Sequence, residues 1–512
     1  MAEIGLVATL PPRSCCDSPG LPTFARGAHW LEVNADWAAE IDLARWRGSF
    51  SGKLIYCLCN GGQIGASESM PQRMARLRAA VMACDLIEVD ARQDDFHELL
   101  SIVPVEKRMI SWAGIVGGVD ELHRKFKDLS RYPARFYKLV SSSTNQASDG
   151  LIPLSLLKSL GRSDVVAYAA GPSGFWSRIV APQLGSPFVY GAAEESSGAS
   201  EPSVAQLVAA YGFPSVKPVS RLYGIVGKPV LQSFSPRLHN AAYRSLGVPA
   251  LFVPFHAESF DDFWENLVQR DGLEQLGFAL CGMTVVSPYK EAALRVAMTC
   301  SAAVRQAGSA NVLTRNGDGN RWRAETTDPE SLLGTDHELG IPLSPKKVAV
   351  IGCGGAGRAV AAALHHAGAD VTLVNRGKER GSFAAKLLGL SFIPLAQFDP
   401  TGFSVLVNAT PVGRDGSRLP IEVSHLNPGA TVIDLAYGKQ PTPLVTEAAL
   451  HGCTVINGYD VLVAQVRSQF KIMIDADMPE VRDARVVEST SVAASLCVSE
   501  YATMERNADA AS

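Results

Sequence analysis

Eight short runs of β-branched and aromatic residues recur through the first part of the chain, each separated from the next by a stretch with helical spacing. They begin at Ile4 (IGLVATL), His29 (HWLEVNA), Lys53 (KLIYCLC), Asp85 (DLIEVDA), Arg108 (RMISWAG), Arg135 (RFYKLVS), Asp164 (DVVAYAA) and Ser186 (SPFVYGA). Strands alternating with helices predict a parallel sheet, and eight such units in series predict a (β/α)8 TIM-type barrel at the small end of its size range. Two prolines in the short polar stretch GFPSVKPVS, from Gly212 to Ser220, mark a linker. A second α/β region opens at Arg221. Within it, residues 348–376 (VAVIGCGGAGRAVAAALHHAGADVTLVNR) run from an apolar strand through glycines and an alanine-rich helix to a second apolar strand. This is the strand, turn, helix and strand of a Rossmann dinucleotide site. The expected fold is therefore α/β: a barrel over 1–214, then a second α/β region in which 341–458 form a Rossmann lobe flanked by 215–340 and 459–480. A tail, 481–512, has no assigned role.

In the turn, Gly352, Gly354, Gly355 and Ala356 let the backbone approach a pyrophosphate, and the following helix aims its free N–H groups at the anion. The second strand ends in Asn375-Arg376, where an NAD enzyme carries an acidic residue for the ribose hydroxyls. With Arg380 four residues on, this points to NADP(H).

Composition narrows the class further. Of the 512 residues, 47% are hydrophobic and 19% charged, which describes a soluble globular chain, and the net charge of −4 offers no basic field to nucleic acid or an anionic membrane. The ten cysteines form no C-x-x-C pair, suggesting reduced thiols in a cytoplasmic protein. The N-terminus has a glutamate and no basic residues before its apolar run, so it is expected to be a strand rather than a signal peptide. No apolar run approaches membrane-spanning length, no metal site is expected, and the oligomeric state is left open.

Barrel chemistry sits at the C-terminal ends of the strands. There the chain places Glu32 and Asn34 on strand 2, facing one way by the period-2 rule, Cys59 on strand 3, Ala113 on strand 5, Lys138 on strand 6 and Arg178 after strand 7. A lysine inside an apolar strand is either a desolvated Schiff-base nucleophile or a paired barrel lysine.

At this point the order of features resembles type I 3-dehydroquinate dehydratase. The resemblance implies that Lys138 is the imine-forming lysine, that Glu32 matches the strand-2 glutamate, and that Gly174-x-x-Ser177-Arg178 is the loop whose arginine holds the substrate carboxylate. Ala113 stands where the family has its proton-shuttling histidine. Asn34 and Cys59 stand in place of arginines, and Ala199-Ser-Glu-Pro-Ser203 lacks the A-P-G-Q sequence of the family loop. A general acid/base typically contributes ~10²–10⁴-fold, so imine formation without efficient dehydration is the expectation.

Further along come Ser233-Phe-Ser235-Pro236, a hydroxyl pair suited to a carboxylate or to helix capping, then Gly282-Met-Thr-Val-Val286-Ser-Pro-Tyr-Lys290-Glu291, Asn311 and Thr326-Thr-Asp328. After the nucleotide turn follow Asn408-Ala-Thr410-Pro411, Asp434-Leu-Ala-Tyr437 and Gly458-Tyr-Asp-Val-Leu-Val-Ala-Gln465. Over about residues 221–475 this order resembles shikimate dehydrogenase. The resemblance implies NADP-dependent reduction of 3-dehydroshikimate to shikimate in aromatic amino acid biosynthesis, with Lys290 and Asp328 handling the proton. It assigns Ser233 and Ser235 to the substrate carboxylate, Asn311 and Gln465 to ring hydroxyls, and Tyr437 to a place near carboxylate and nicotinamide. Cofactor contacts are expected from Gly352, Gly354, Gly355, Ala356, Asn375, Arg376, Arg380, Asn408, Thr410 and Gly458.

Val286 replaces a threonine, Thr284 and Thr326 replace asparagines, and Arg414 and Val461 replace methionines. Val286 keeps open a quinate/shikimate dehydrogenase of altered specificity. A non-catalytic ligand sensor built from former pathway enzymes is the third reading, and retention of Lys290 with Asp328 argues against it.

Overall fold

The computed structural model describes residues 4–10, 27–35, 43–58, 70–194, 201–315, 321–329, 346–438 and 440–480. Cys59, Ala199, Ser200 and the tail lie outside them. The chain separates into two compact units, Met1–Leu280 and Cys281–Ser512.

In the first unit each of the eight apolar runs holds one strand: β1 (Gly5–Thr9), β2 (Trp30–Asn34), β3 (Lys53–Leu58), β4 (Leu86–Asp90), β5 (Arg108–Gly114), β6 (Phe136–Ser142), β7 (Val165–Ala170) and β8 (Phe188–Ala192). They form one parallel sheet in the order β7-β6-β5-β4-β3-β2-β1-β8, the order of a (β/α)8 barrel whose ladder is open between β7 and β8. Arg178 bridges that seam. Its Nη1 donates to the carbonyl of Tyr190 in β8 at 3.1 Å, and its guanidinium lies 4.5 Å from the ring centroid of Tyr168 in β7. Alternate residues face the interior, where Trp30, Phe136 and Phe188 make an aromatic floor, edge to face at 5.3 and 4.8 Å. Two residues along the same faces of β2, β4 and β6, the interior turns charged: Glu32, Glu88 and Lys138 are all buried.

Beyond the linker, β9 (Arg221–Gly227) and β10 (Ala250–His256) pair in parallel, and the helix Ser235–Leu246 connects them. This segment is anchored on the barrel. Ser148 Oγ and the Ala147 amide both donate to the Asp262 carboxylate at 3.1 Å, and Trp176 packs against Phe255 with centroids 5.4 Å apart.

The connecting helix buries His239 completely, stacked on Phe252 at 4.1 Å. Burial holds its imidazole down from 6.5 to about 3. Below pH 6.5 the unfolded chain takes up a proton that the folded one refuses, so stability falls with pH over that window and is unaffected above it. At pH 4.5 the loss is about 3 kcal/mol. Urea titrations should show it in the wild type and show a flatter dependence in His239→Phe; parallel pH profiles would refute it.

β11 (Ala279–Val285) runs into the second unit, where β12 (Thr299–Cys300), β13 (Val312–Arg315) and β14 (Trp322–Glu325) follow. β13 lies antiparallel to β11 and β14, while β12 runs parallel to β14. Then come β15 (Lys347–Ile351), β16 (Asp370–Asn375), β17 (Ser391–Pro394), β18 (Val405–Asn408), β19 (Thr431–Asp434) and β20 (Thr454–Ile456). These six form a parallel sheet in the order β17-β16-β15-β18-β19-β20, with the direction of winding reversing between β15 and β18. Val348 and Val350 feed the core on one face and Ala349 and Ile351 the core on the other, as a strand covered on both sides requires. Ligands of such sheets bind beyond the carboxyl ends of the strands at the reversal. No helix among the described residues is long and apolar enough to cross a membrane.

Candidate active site

Lys290 opens the helix Lys290–Val296, and Asp328 follows β14. Their side chains meet, Nζ to Oδ2, at 2.6 Å, with Asp328 almost fully buried. The other carboxylate oxygen accepts from Asn311 Nδ2 at 3.0 Å and Gln465 Nε2 at 2.8 Å. Asn311 also accepts from the Thr327 amide at 2.9 Å, which fixes the backbone next to Asp328. One sequence-predicted set, Lys290, Asp328, Asn311 and Gln465, is thus brought together in space.

Thr327 and Gln469 join it without having been singled out. Gln469 Nε2 donates to Thr327 Oγ1 at 3.3 Å and its Oε1 accepts from Thr284 at 2.9 Å. Its place four residues after Gln465 on the helix Gly458–Ile474 is the signal that could have found it. Thr284 is therefore a member of the network. The buried hydroxyl of Thr326 has no partner among the described residues.

At the nucleotide turn Gly352 has φ +103°, and a Cβ on Gly357 would stand 1.8 Å from the Gly352 carbonyl, so the turn closes only with glycine at both positions. Gly354 caps the helix Gly355–His366, which leaves the amides of Gly355, Ala356 and Gly357 at its open end. Asn375 Oδ1 accepts from the Cys353 amide at 3.2 Å, so this asparagine braces the turn itself. Arg376 and Arg380 are exposed. Burial pushes the Cys353 thiol up to about 11, which keeps it protonated and inert.

On the far side of the reversal, Asn408 Nδ2 donates to Asp434 at 2.9 Å while its Oδ1 accepts from Thr410 Oγ1 at 2.7 Å, holding the Thr410 loop in place. Tyr437 packs on Tyr459 with centroids 5.6 Å apart, and the Arg414 guanidinium lies 5.4 Å from its ring centroid. Gly458 begins its helix where a Cβ would stand 2.2 Å from the Ala436 carbonyl. Open amides, a brace without a carboxylate at the end of β16, and two exposed arginines suit a dinucleotide bearing a 2′-phosphate.

In the first unit, Ser233 Oγ donates to Ser235 Oγ at 3.2 Å and accepts from the Ser235 amide at 3.2 Å. The pair therefore sits at the start of the helix Ser235–Leu246, with Ser235 buried.

The barrel interior is more closed. Lys138 Nζ lies 2.9 Å from Glu88 and 3.3 Å from Glu32, and 4.0 Å from the ring centroid of Tyr190. Burial opposes the charge on Lys138, but Glu32 and Glu88 outweigh it and hold the ammonium well above the ordinary lysine range. The Glu32 carboxyl is itself raised, burial outweighing the pull of Lys138. Of the two possibilities for this lysine, the paired one is what these contacts describe. Arg178 is taken too, its Nη2 donating to Glu201 at 2.9 Å. Glu88 and Glu201 went unnoticed in the sequence because a glutamate in a strand or a loop carries no signal of which cation it will meet.

A doubly wound dinucleotide fold joined to a buried lysine–aspartate pair, behind a (β/α)8 barrel, defines an α/β oxidoreductase. Residues 225–313 match the shikimate dehydrogenase substrate binding domain, residues 34–218 match type I 3-dehydroquinase, and residues 348–392 match ketopantoate reductase PanE/ApbA. The chain is 34% identical over 274 residues to the shikimate dehydrogenase (NADP(+)) of Syntrophobacter fumaroxidans, covering 52% of this chain and 91% of that one. It is 29% identical over 335 residues to the chloroplastic bifunctional 3-dehydroquinate dehydratase/shikimate dehydrogenase of Arabidopsis thaliana, covering 62% of this chain and 54% of that longer one. Among solved structures, the Thermus thermophilus shikimate 5-dehydrogenase in complex with NADP(H) and shikimate aligns at 28% identity and a TM-score of 0.46, over 53% of this chain and 99% of that one. The chain belongs to the shikimate dehydrogenase family, fused behind a type I 3-dehydroquinase domain.

Proposed function

We propose that this chain is an NADP-dependent shikimate dehydrogenase whose barrel no longer supports efficient dehydration of 3-dehydroquinate. The observation that carries the reading is the Lys290–Asp328 pair at 2.6 Å, locked by Asn311 and Gln465. The amides of Gly355 and Ala356 would take the pyrophosphate, with Arg376 and Arg380 on the 2′-phosphate and Asn375, Asn408, Thr410 and Gly458 shaping the rest. When bound, the nicotinamide supplies the hydride for the ketone. Lys290 Nζ stands beside the carbonyl oxygen, stabilises the alkoxide as charge develops and hands it a proton. Asp328 keeps that ammonium aimed, and Asn311 and Gln465 fix the carboxylate so that it does not swing away. The hydroxyls of Ser233 and Ser235 bind the substrate carboxylate. The domain limits of this reading are 1–214, 215–340 with 459–480, and 341–458, and its setting is the cytoplasm.

The test is an absorbance assay of the full chain with NADP and shikimate, then with quinate, then with NAD replacing NADP. Reduction of NADP with shikimate is expected. A clear preference for quinate would shift the substrate, with Val286 as the responsible residue. Silence in every combination would overturn the enzyme reading in favour of a ligand sensor.

A further inference from the structure

Arg358 is 2% exposed, on the helix that the glycine turn begins. Its Nε donates to the Ala307 carbonyl at 2.8 Å, its Nη1 to the Cys353 carbonyl at 3.2 Å, and its Nη2 to Glu291 Oε1 at 2.8 Å. Cys353 belongs to the nucleotide turn, and Glu291 is the residue after Lys290. The same Glu291 oxygen lies 3.6 Å from Arg380 Nη2. The ground between is tightly packed. The Ala310 amide donates to the Lys290 carbonyl at 2.8 Å, Ser309 Oγ donates to the Gly355 carbonyl at 3.3 Å, and a Cβ on Gly355 would stand 3.1 Å from that of Lys290.

We propose that Glu291 is a positioning residue that ties the turn arginine Arg358 and the phosphate-site arginine Arg380 to the segment carrying Lys290. The proposal rests on the NADP-dependent reading above. Arg358 is buried, so its charge needs a fixed anion, and Glu291 provides one through a bond that also sets the start of the Lys290 helix. Arg380 and Glu291 are both half-exposed, so their contact is weak and yields to a stronger anion. A 2′-phosphate on Arg380 displaces Glu291 from that arginine and leaves it wholly to Arg358. Recognition of the phosphate and alignment of the lysine thereby share one carboxylate.

The full-length Glu291→Ala and Glu291→Gln variants test this by calorimetry with 2′,5′-ADP and 5′-AMP, alongside steady-state kinetics. Freed from a competing carboxylate, Arg380 should bind 2′,5′-ADP about threefold tighter in both variants, with 5′-AMP unchanged. In Glu291→Ala, kcat should fall about tenfold without a rise in KM for NADP, because the lysine is misaligned rather than the cofactor lost. Glu291→Gln should recover most of kcat, since its carbonyl still accepts from Arg358. Unchanged or weaker 2′,5′-ADP binding in both variants, or an undiminished kcat in Glu291→Ala, overturns the role of Glu291. A wild-type chain that binds neither adenosine phosphate overturns the nucleotide reading itself.

Discussion

Lys290→Met is expected to lower kcat for 3-dehydroshikimate reduction by ~10²–10⁴-fold while leaving KM for NADPH within about twofold, because a general acid and its charge are lost and the phosphate contacts are not. Methionine keeps the length and packing of the side chain, so the result reports on the ammonium. Asp328→Asn should cost nearly as much for a different reason. The carboxylate accepts from Lys290, Asn311 and Gln465. An amide offers one acceptor oxygen and turns an NH2 toward a donor, so at least one of the three must let go. Stopped assays at saturating NADPH would show both effects. A Lys290→Met enzyme within threefold of wild type would remove lysine from the mechanism, and a fully active Asp328→Asn would remove its anchor.

The second large effect lies in the barrel. Lys138→Met leaves Glu32 and Glu88 buried without their cation, and breaking a buried pair from one side costs about 3–5 kcal/mol. For a barrel of this size that is about 10 °C in melting temperature. Neutralising the carboxylates as well, in Lys138→Met/Glu32→Gln/Glu88→Gln, should recover much of the loss, because no charge is then stranded. Wild-type melting in Lys138→Met would show that the cluster is not structural. A companion experiment addresses chemistry: the full chain incubated with 3-dehydroquinate and borohydride should gain no mass at Lys138, since an ammonium held by two carboxylates is a poor nucleophile. A stoichiometric adduct there would restore the imine.

The two halves of the chain differ in how much could be read ahead of the structure, and the difference is physical. Strands came through because the barrel strands and β15 are covered on both faces, so each reads as a short continuous run of β-branched and aromatic residues. Gly352 came through as a turn residue because its positive φ favours glycine. Lys290, Asp328, Asn311 and Gln465 were recognisable as a set through their family order, yet the bonds among them span up to 137 residues of sequence. What escaped were partners chosen only in three dimensions: Glu88 for Lys138, Glu201 for Arg178 and Glu291 for Arg358. Of Asn375, only a second role escaped. It stands where a ribose ligand was expected, and its carbonyl oxygen is occupied bracing the turn.

The bonds from Ser148 and Ala147 to Asp262, and the packing of Trp176 on Phe255, give the barrel a part to play besides chemistry. Severing the chain at its proline linker would bare an aromatic ring and leave a carboxylate without two of its donors. Whatever chemistry the first domain carries, the segment of β9 and β10 draws part of its stability from it.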